Sequence, residues 1–251
     1  MVGILGPNGS GKTTLLLAMS GVIVPQAGLV AIDGTDIRDF RPCAVARRMA
    51  SVQQRPEVSF GLKVLSVVLM GRYPHLDGWG DYSGEDVRMA LDVLDRLGIA
   101  HLARRPINEV SGGEAQLAVI ARALCQDTDI LLLDEATSSL DAARKIEVFD
   151  LLTRKNMEGV TLLCVMHDLN LAALYCRRLV FLKGGRIFAD GPTEDVFNDR
   201  TLSELYGTEV RVTRHPTADR PQAHFVPGEH GCYLRAAKPD SPLRSVISSR
   251  D

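Results

Sequence analysis

Gly6–Thr13 reads GPNGSGKT, and this stretch decides the fold. Gly6, Gly9 and Gly11 carry no Cβ, so the backbone can turn sharply and bring N–H groups close to phosphate oxygens. Lys12 can reach the β- and γ-phosphates of a nucleoside triphosphate as a point charge, and the Thr13 hydroxyl can ligate Mg²⁺. The apolar run Val2–Leu5 before the loop suits a buried strand. Thr13–Ser20 (TTLLLAMS) after it suits a helix whose N-terminus points at the phosphates. Strand, glycine-rich loop and helix in that order are the context the motif requires.

Outward from the loop, apolar runs alternate with helical patterns, which predicts an α/β fold on a mostly parallel sheet flanked by helices. Strands are predicted at Val2–Leu5, Met49–Gln53, Ile130–Asp134, Thr161–Met166 and Leu179–Leu182. Shorter antiparallel pieces are predicted at Gly28–Ile32 and Arg186–Ala189, beside the turn residues Asp33–Gly34 and Gly184–Gly185. Between Val64 and Cys125 helical patterns dominate. In Glu85–Leu97 (EDVRMALDVLDRL), for example, Val87, Ala90, Leu91 and Leu94 recur at helical spacing. This predicts a helical subdomain over about 64–125, inserted in a domain spanning 1–215, with Tyr73–Gly84 as a loop. Residues 216–251 read as an irregular extension with one last hairpin expected in part of it and disorder over Ala236–Asp251.

The 251 residues suffice for a substantial core, and the net charge of -2 gives no sign of a nucleic-acid partner. The five cysteines (43, 125, 164, 176, 232) form no CxxC pair and read as buried thiols of a reducing cytosol. No apolar run approaches the roughly 18 residues that span a bilayer. Leu15–Val24 after Lys12 has the look of a signal-peptide core, but cleavage there would discard the phosphate loop. A soluble cytoplasmic protein is expected, able to sit on a membrane through a partner.

Ile130–Glu135 (ILLLDE) is a buried strand ending in two carboxylates, at the sheet edge where the phosphate loop sits. Asp134 can hold Mg²⁺, and Glu135 is placed to polarise a water for attack on the γ-phosphate. Val110–Glu114 (VSGGE) precedes the helical run Ala115–Leu124. Serine and two glycines there offer an anion site of the same physical kind as the phosphate loop, or simply a helix cap by Ser111.

Phosphate loop, Gln53–Gln54, SGGE, ILLLDE, Ser138–Asp141 (SSLD) and His167 follow one another in this order. Together, from residue 1 to about 215, they resemble the ATP-binding cassette (ABC) ATPase family, a branch of the P-loop NTPases. The resemblance implies that Gly6, Pro7, Asn8, Gly9, Ser10, Gly11, Lys12, Thr13 and Thr14 bind ATP phosphates. It implies that Gln54 matches the glutamine that touches Mg²⁺ or the attacking water and links the site to a transporter partner. Thr13, Gln54 and Asp134 would then be the Mg²⁺ ligands, Glu135 the catalytic base, and His167 the switch histidine at the γ-phosphate. Ser111, Gly112 and Gly113 would bind the γ-phosphate held by a second copy of the chain, and Asp141 would end the loop at that dimer interface. An ATP-sandwich homodimer on two transmembrane permease subunits follows, at the cytoplasmic face of the membrane, served indirectly by an extracytoplasmic substrate-binding protein.

Met70–Leu76 (MGRYPHL), His167–Asn170 (HDLN) and Leu205–Gly207 (LYG) resemble importer ATPases for metal chelates: ferric siderophores, haem or cobalamin. Zinc, manganese or molybdate import stays open, as does an ABC ATPase outside transport. The chain departs from the family pattern at Val110, Ala115, Leu117 and Ala136. It also has no room before the phosphate loop for the two antiparallel strands and adenine-stacking aromatic that the family carries. A reduced antiparallel β subdomain, an exposed Gly28–Ile32 edge, weaker base binding and poor turnover are the expectations from that departure.

Overall fold

The computed structural model describes residues 1–53, 61–76 and 80–228. Its elements begin with β1 (Val2–Leu5), α1 (Lys12–Met19), β2 (Ala31–Ile32), β3 (Thr35–Asp36), α2 (Pro42–Arg48) and β4 (Met49–Val52). There follow α3 (Val64–Leu69), α4 (Gly84–Arg96), α5 (Gly112–Cys125), β5 (Ile130–Asp134), α6 (Ala142–Met157), β6 (Thr161–Val165) and α7 (Leu169–Tyr175). The last are β7 (Arg178–Lys183), β8 (Arg186–Pro192), α8 (Thr193–Val196), α9 (Asp199–Tyr206), β9 (Val210–Arg214) and β10 (Pro221–Phe225).

Near-continuous apolar strands need cover on both faces, and the fold supplies it. Six strands pair in the order β4-β5-β6-β1-β7-β8, parallel throughout except for β8, which turns back antiparallel on β7. Successive side chains go to opposite faces. Ile4 and Leu132 join Leu16 of α1, Ile32 and Ile37 in the smaller core, while Leu5, Leu131 and Leu133 enter the larger one with α5, α6 and α7. Because β1 lies between β6 and β7, the carboxyl ends of β1, β5 and β6 emerge at one sheet edge. Met166 N–H donates to the Ile4 carbonyl and Glu135 N–H to the Val165 carbonyl, each at 3.1 Å, which locks these ends together.

The five predicted strands form within a residue or two of the expected bounds, and residues 64–125 are helical wherever described outside short connections. Four expectations change. The antiparallel piece at Gly28–Ile32 reduces to Ala31–Ile32 paired with Thr35–Asp36 across a two-residue turn, Asp33–Gly34, both at positive φ. The first residues of the expected Tyr73–Gly84 loop continue a 3₁₀ turn over Met70–His75, and Gly84 already opens α4 because Ser83 caps it. The helix expected from Ala115 starts three residues earlier, at Gly112, because Ser111 caps it. Of the cysteines, Cys125, Cys164 and Cys176 are buried as expected but Cys43 is exposed, on the short helix α2. Cys232 and Ala236–Asp251 lie outside the described residues. The stretch after His215 supplies β10, which closes a hairpin on β9. Among the described residues no helix is long and apolar enough to cross a membrane.

Candidate functional site

The phosphate loop bridges β1 and α1, and its shape follows from its glycines. A Cβ on Gly6 would stand 2.1 Å from the Leu182 carbonyl oxygen of β7, so only glycine lets the loop pass that close to the sheet. Gly11 takes φ 96° as the residue preceding α1, and no side chain caps that helix end. The first-turn N–H groups of α1 therefore carry the partial positive charge of a helix N-terminus without a protein partner at the cap, the arrangement that attracts phosphate. The turn between β7 and β8 supports the loop from beside it: Gly185 N–H donates to the Ser10 carbonyl at 3.2 Å.

Lys12 is buried, and its Nζ donates to the carbonyls of Gly6 at 2.9 Å and Pro7 at 3.0 Å. Burial lowers its pKa, while the Glu135 and Asp134 carboxylates oppose that shift. Those two carboxylates thus lie within electrostatic reach of the lysine. Asp134 is 6% exposed at the end of β5. Burial raises its pKa, and Glu135 adds to that; a hydrogen bond from Thr13 and the charges of Lys12 and His167 oppose it.

Two buried oxygens, Ser10 Oγ and Asp134 Oδ1, have no hydrogen-bond partner among the described residues. Unpaired buried oxygens are costly in a native interior and ask for a reason. A hard cation beside a phosphate supplies one: the Thr13 hydroxyl and the Asp134 carboxylate are oxygen donors of the kind Mg²⁺ accepts. The residues present fit that ion.

Glu135 sits at φ 49°, an uncommon left-handed conformation for a non-glycine residue. The kink ends β5 and turns the carboxylate toward His167, whose Nε2 contacts Glu135 Oε1. The Glu135 side chain is 10% exposed and His167 47% exposed. Both line a cavity of about 180 Å³ with Ser138, Lys145 and Asp168. Residues in sparsely populated backbone regions concentrate at functional sites.

Ser111–Gly113 lie at the N-terminal end of α5. Ser111 precedes α5 and closes a reciprocal cap: Ser111 N–H donates to Glu114 Oε2 at 2.8 Å, and Glu114 N–H donates to Ser111 Oγ at 3.3 Å. Those bonds hold the Glu114 carboxyl below its usual pKa. Ser111 and Gly112 are exposed. Gly113 lies against Leu140 and the Ser139 carbonyl, so this turn adjoins Ser138–Asp141 of the same chain. Asp141 caps α6 through Arg144 N–H at 2.9 Å.

The structure therefore gathers the phosphate loop, Thr13, Asp134, Glu135 and His167, leaves Ser111, Gly112 and Asp141 exposed at the N-terminal ends of α5 and α6 with Gly113 half-buried beside them, and does not describe Gln54. Lys145 of α6, beside Glu135 and His167 in the cavity, carried no motif signal; a lone lysine on a helix is legible only once α6 is folded over β5. Asn170 stands within the quoted HDLN stretch, but its partner is far away in sequence.

A family model described as ABC transporter matches residues 1–138. The iron(3+)-hydroxamate import ATP-binding protein FhuC of Bacillus subtilis is 38% identical over 219 residues, covering 87% of this chain and 81% of the relative. An inward-facing ABC transporter assigned to the metal-chelate type superposes with a TM-score of 0.77 at 28% identity, covering 90% of this chain and 85% of the other. A dimeric ATP-binding cassette in a post-hydrolysis state with ADP and Pi is also similar, with a TM-score of 0.68 at 30% identity over 77% of this chain and 85% of that one.

Proposed function

This chain belongs to the ABC transporter family, and from that premise we propose that it is the ATP-hydrolysing subunit of a metal-chelate importer, cargo a ferric siderophore, haem or cobalamin. The ATPase itself is the family's activity. The convergence of Lys12, Asp134, Glu135 and His167 at one sheet edge is the observation that carries the assignment of its parts.

The phosphate loop and Lys12 bind the β- and γ-phosphates. Lys12 exchanges its bonds to Gly6 and Pro7 for phosphate oxygens, so the loop keeps a cation in place before nucleotide arrives. Thr13 and Asp134 would hold Mg²⁺, with Gln54 the third ligand; the ion supplies neutralisation of charge on the phosphates. Glu135 orients and deprotonates the attacking water. His167 holds the Glu135 carboxylate and presents its ring to the γ-phosphate.

Ser111 and Gly112 are exposed at the start of α5, which suits a role at the nucleotide of a second copy. ATP would then be bound from both faces, with Asp141 at the seam, and hydrolysis would part the two copies. The assembly would sit as a peripheral homodimer on permease subunits at the cytoplasmic face of the membrane, receiving cargo from an extracytoplasmic substrate-binding protein.

The test is Glu135→Gln in the full chain with excess ATP and Mg²⁺. Turnover should fall by about 10²–10⁴, and light scattering should report an ATP-bound dimer. A monomer at saturating ATP would overturn the composite site. For the cargo, deleting the gene should abolish growth on a ferric hydroxamate as sole iron source; unimpaired growth there, with loss on haem or cobalamin, would reassign it within the class.

A further inference from the structure

The C-terminal hairpin holds the short helix that follows His167 at both of its ends. Asn170 Oδ1 accepts from Ala223 N–H at 2.7 Å, and Asn170 Nδ2 donates to the Ala223 carbonyl at 3.2 Å. The side chain thereby binds both peptide groups of one β10 residue, as a neighbouring strand would. Arg220, in the turn of the same hairpin, donates from Nε to the Ala173 carbonyl at 3.0 Å and from Nη2 to the Cys176 carbonyl at 2.7 Å, the carbonyls at the C-terminal end of α7. Its remaining terminal nitrogen meets Glu194 at 3.2 Å.

We propose that Asn170 and Arg220 are positioning residues for ATP hydrolysis: by fixing α7 against the β9–β10 hairpin they hold His167 in register with Glu135. The inference rests on the roles given above to Glu135 and His167.

Helix length supplies the first reason. α7 has seven residues, too few to be stable alone, so its place is set by tertiary anchors. Asp168 caps it through Leu171 N–H at 3.0 Å, which couples the helix directly to the residue beside His167. A displacement of α7 is therefore a displacement of the His167 ring. Cavity geometry is the second reason. A space of about 300 Å³, lined by Lys145, Ile146, Asp168, Asn170, His215 and Arg220, lies between α6, α7 and the hairpin. It shares Lys145, Asp168 and Leu171 with the cavity that holds Glu135 and His167. Tyr175, at the end of α7, stacks on Phe149 of α6 and donates to Asp150 at 2.8 Å, while the side of α7 that faces this space is held by the hydrogen bonds of Asn170 and Arg220.

The experiment compares Asn170→Ala, Arg220→Met and Arg220→Lys in the full chain with Glu135→Gln and His167→Ala as references. It reads kcat and KM for Mg·ATP, the thermal midpoint and the ¹⁵N shift of the His167 ring. Asn170→Ala and Arg220→Met should lower kcat by about ten- to a hundredfold, leave KM for ATP unchanged and move the ring shift toward that of an unpaired imidazole. Arg220→Lys, which keeps a donor, should fall between. Parent-like kcat and ring shift in Asn170→Ala, with Glu135→Gln inactive, would overturn the proposal. So would a fall in kcat accompanied by a rise in KM and a large loss of thermal stability, which marks a general folding role. If Glu135→Gln turns over at the parent rate, the assignment of the catalytic pair fails instead, and the ring shift alone decides whether the hairpin positions His167.

Discussion

Lys12 Nζ donates to the Gly6 carbonyl at 2.9 Å, so the lysine at the start of α1 is tied to the first residue of its own loop. The bond serves two ends. It satisfies a buried ammonium that would otherwise be costly, and it holds the loop in an open ring around the space a phosphate enters. Charge-assisted hydrogen bonds contribute about 1.5–3 kcal/mol. Lys12→Ala should therefore weaken ATP binding by about ten- to a hundredfold, measured by calorimetry in the presence of Mg²⁺. An unchanged Kd would place the triphosphate elsewhere.

Asp134 illustrates a trade between stability and function. Burial raises its pKa above the unfolded value of 3.8, so the folded chain resists its ionisation. The sign follows from proton linkage. Between pH 3.8 and the raised folded value the native state binds more protons than the unfolded one, so stability falls as pH rises through that window and stays lowered above it. Asp134→Asn removes the charge and keeps an oxygen for Thr13. Expected is a thermal midpoint higher by a few degrees at pH 7 without nucleotide, a gain that shrinks as pH falls toward the lower end of that window, together with loss of Mg²⁺-dependent turnover. A lower midpoint at pH 7 would contradict the burial argument.

The halves of the site that sequence displays are the local ones. GPNGSGKT and ILLLDE each carry their chemistry within a few consecutive residues, and the apolar runs around them define strands covered on both faces. Ser111 was legible as a cap for the same reason, because its partner Glu114 is three residues on. What stays hidden depends on distance along the chain. The contact of His167 with Glu135 needs β5 and β6 side by side, and the grip of Asn170 on Ala223 joins residues 53 apart. No spacing rule reaches that far. The left-handed turn at Glu135 is equally invisible, since nothing in the residue type calls for it.

Thiol chemistry reports on the larger core. Cys125, Cys164 and Cys176 are buried, and burial pushes the Cys125 thiol up to about 11 and the Cys176 thiol up to about 12. Thiolate is the reactive form, so these residues should resist alkylation at pH 8 until the chain unfolds. Cys43, exposed on α2, should label in the native state. Peptide mapping after iodoacetamide treatment checks the pattern. Native labelling of Cys164, which sits on β6 beside β5, would mean that the central sheet opens.

Ser111 separates a structural role from a nucleotide role, because its hydroxyl serves one in the single chain and is proposed for the other across the dimer. Ser111→Ala removes the cap on α5 and should cost about 1 kcal/mol, a midpoint lower by about 2–4 °C for a chain of this size. Ser111→Asp keeps a capping oxygen at the same helix end, where a negative charge is also favoured by the helix dipole. Its midpoint should stay near the parent's. The added carboxylate would nonetheless face the γ-phosphate of the second copy and repel it. In a Glu135→Gln background, Ser111→Asp should therefore abolish the ATP-dependent dimer seen by light scattering while leaving the fold intact, and Ser111→Ala should weaken the dimer less. A Ser111→Asp chain that still dimerises with ATP would show that Ser111 only caps its helix.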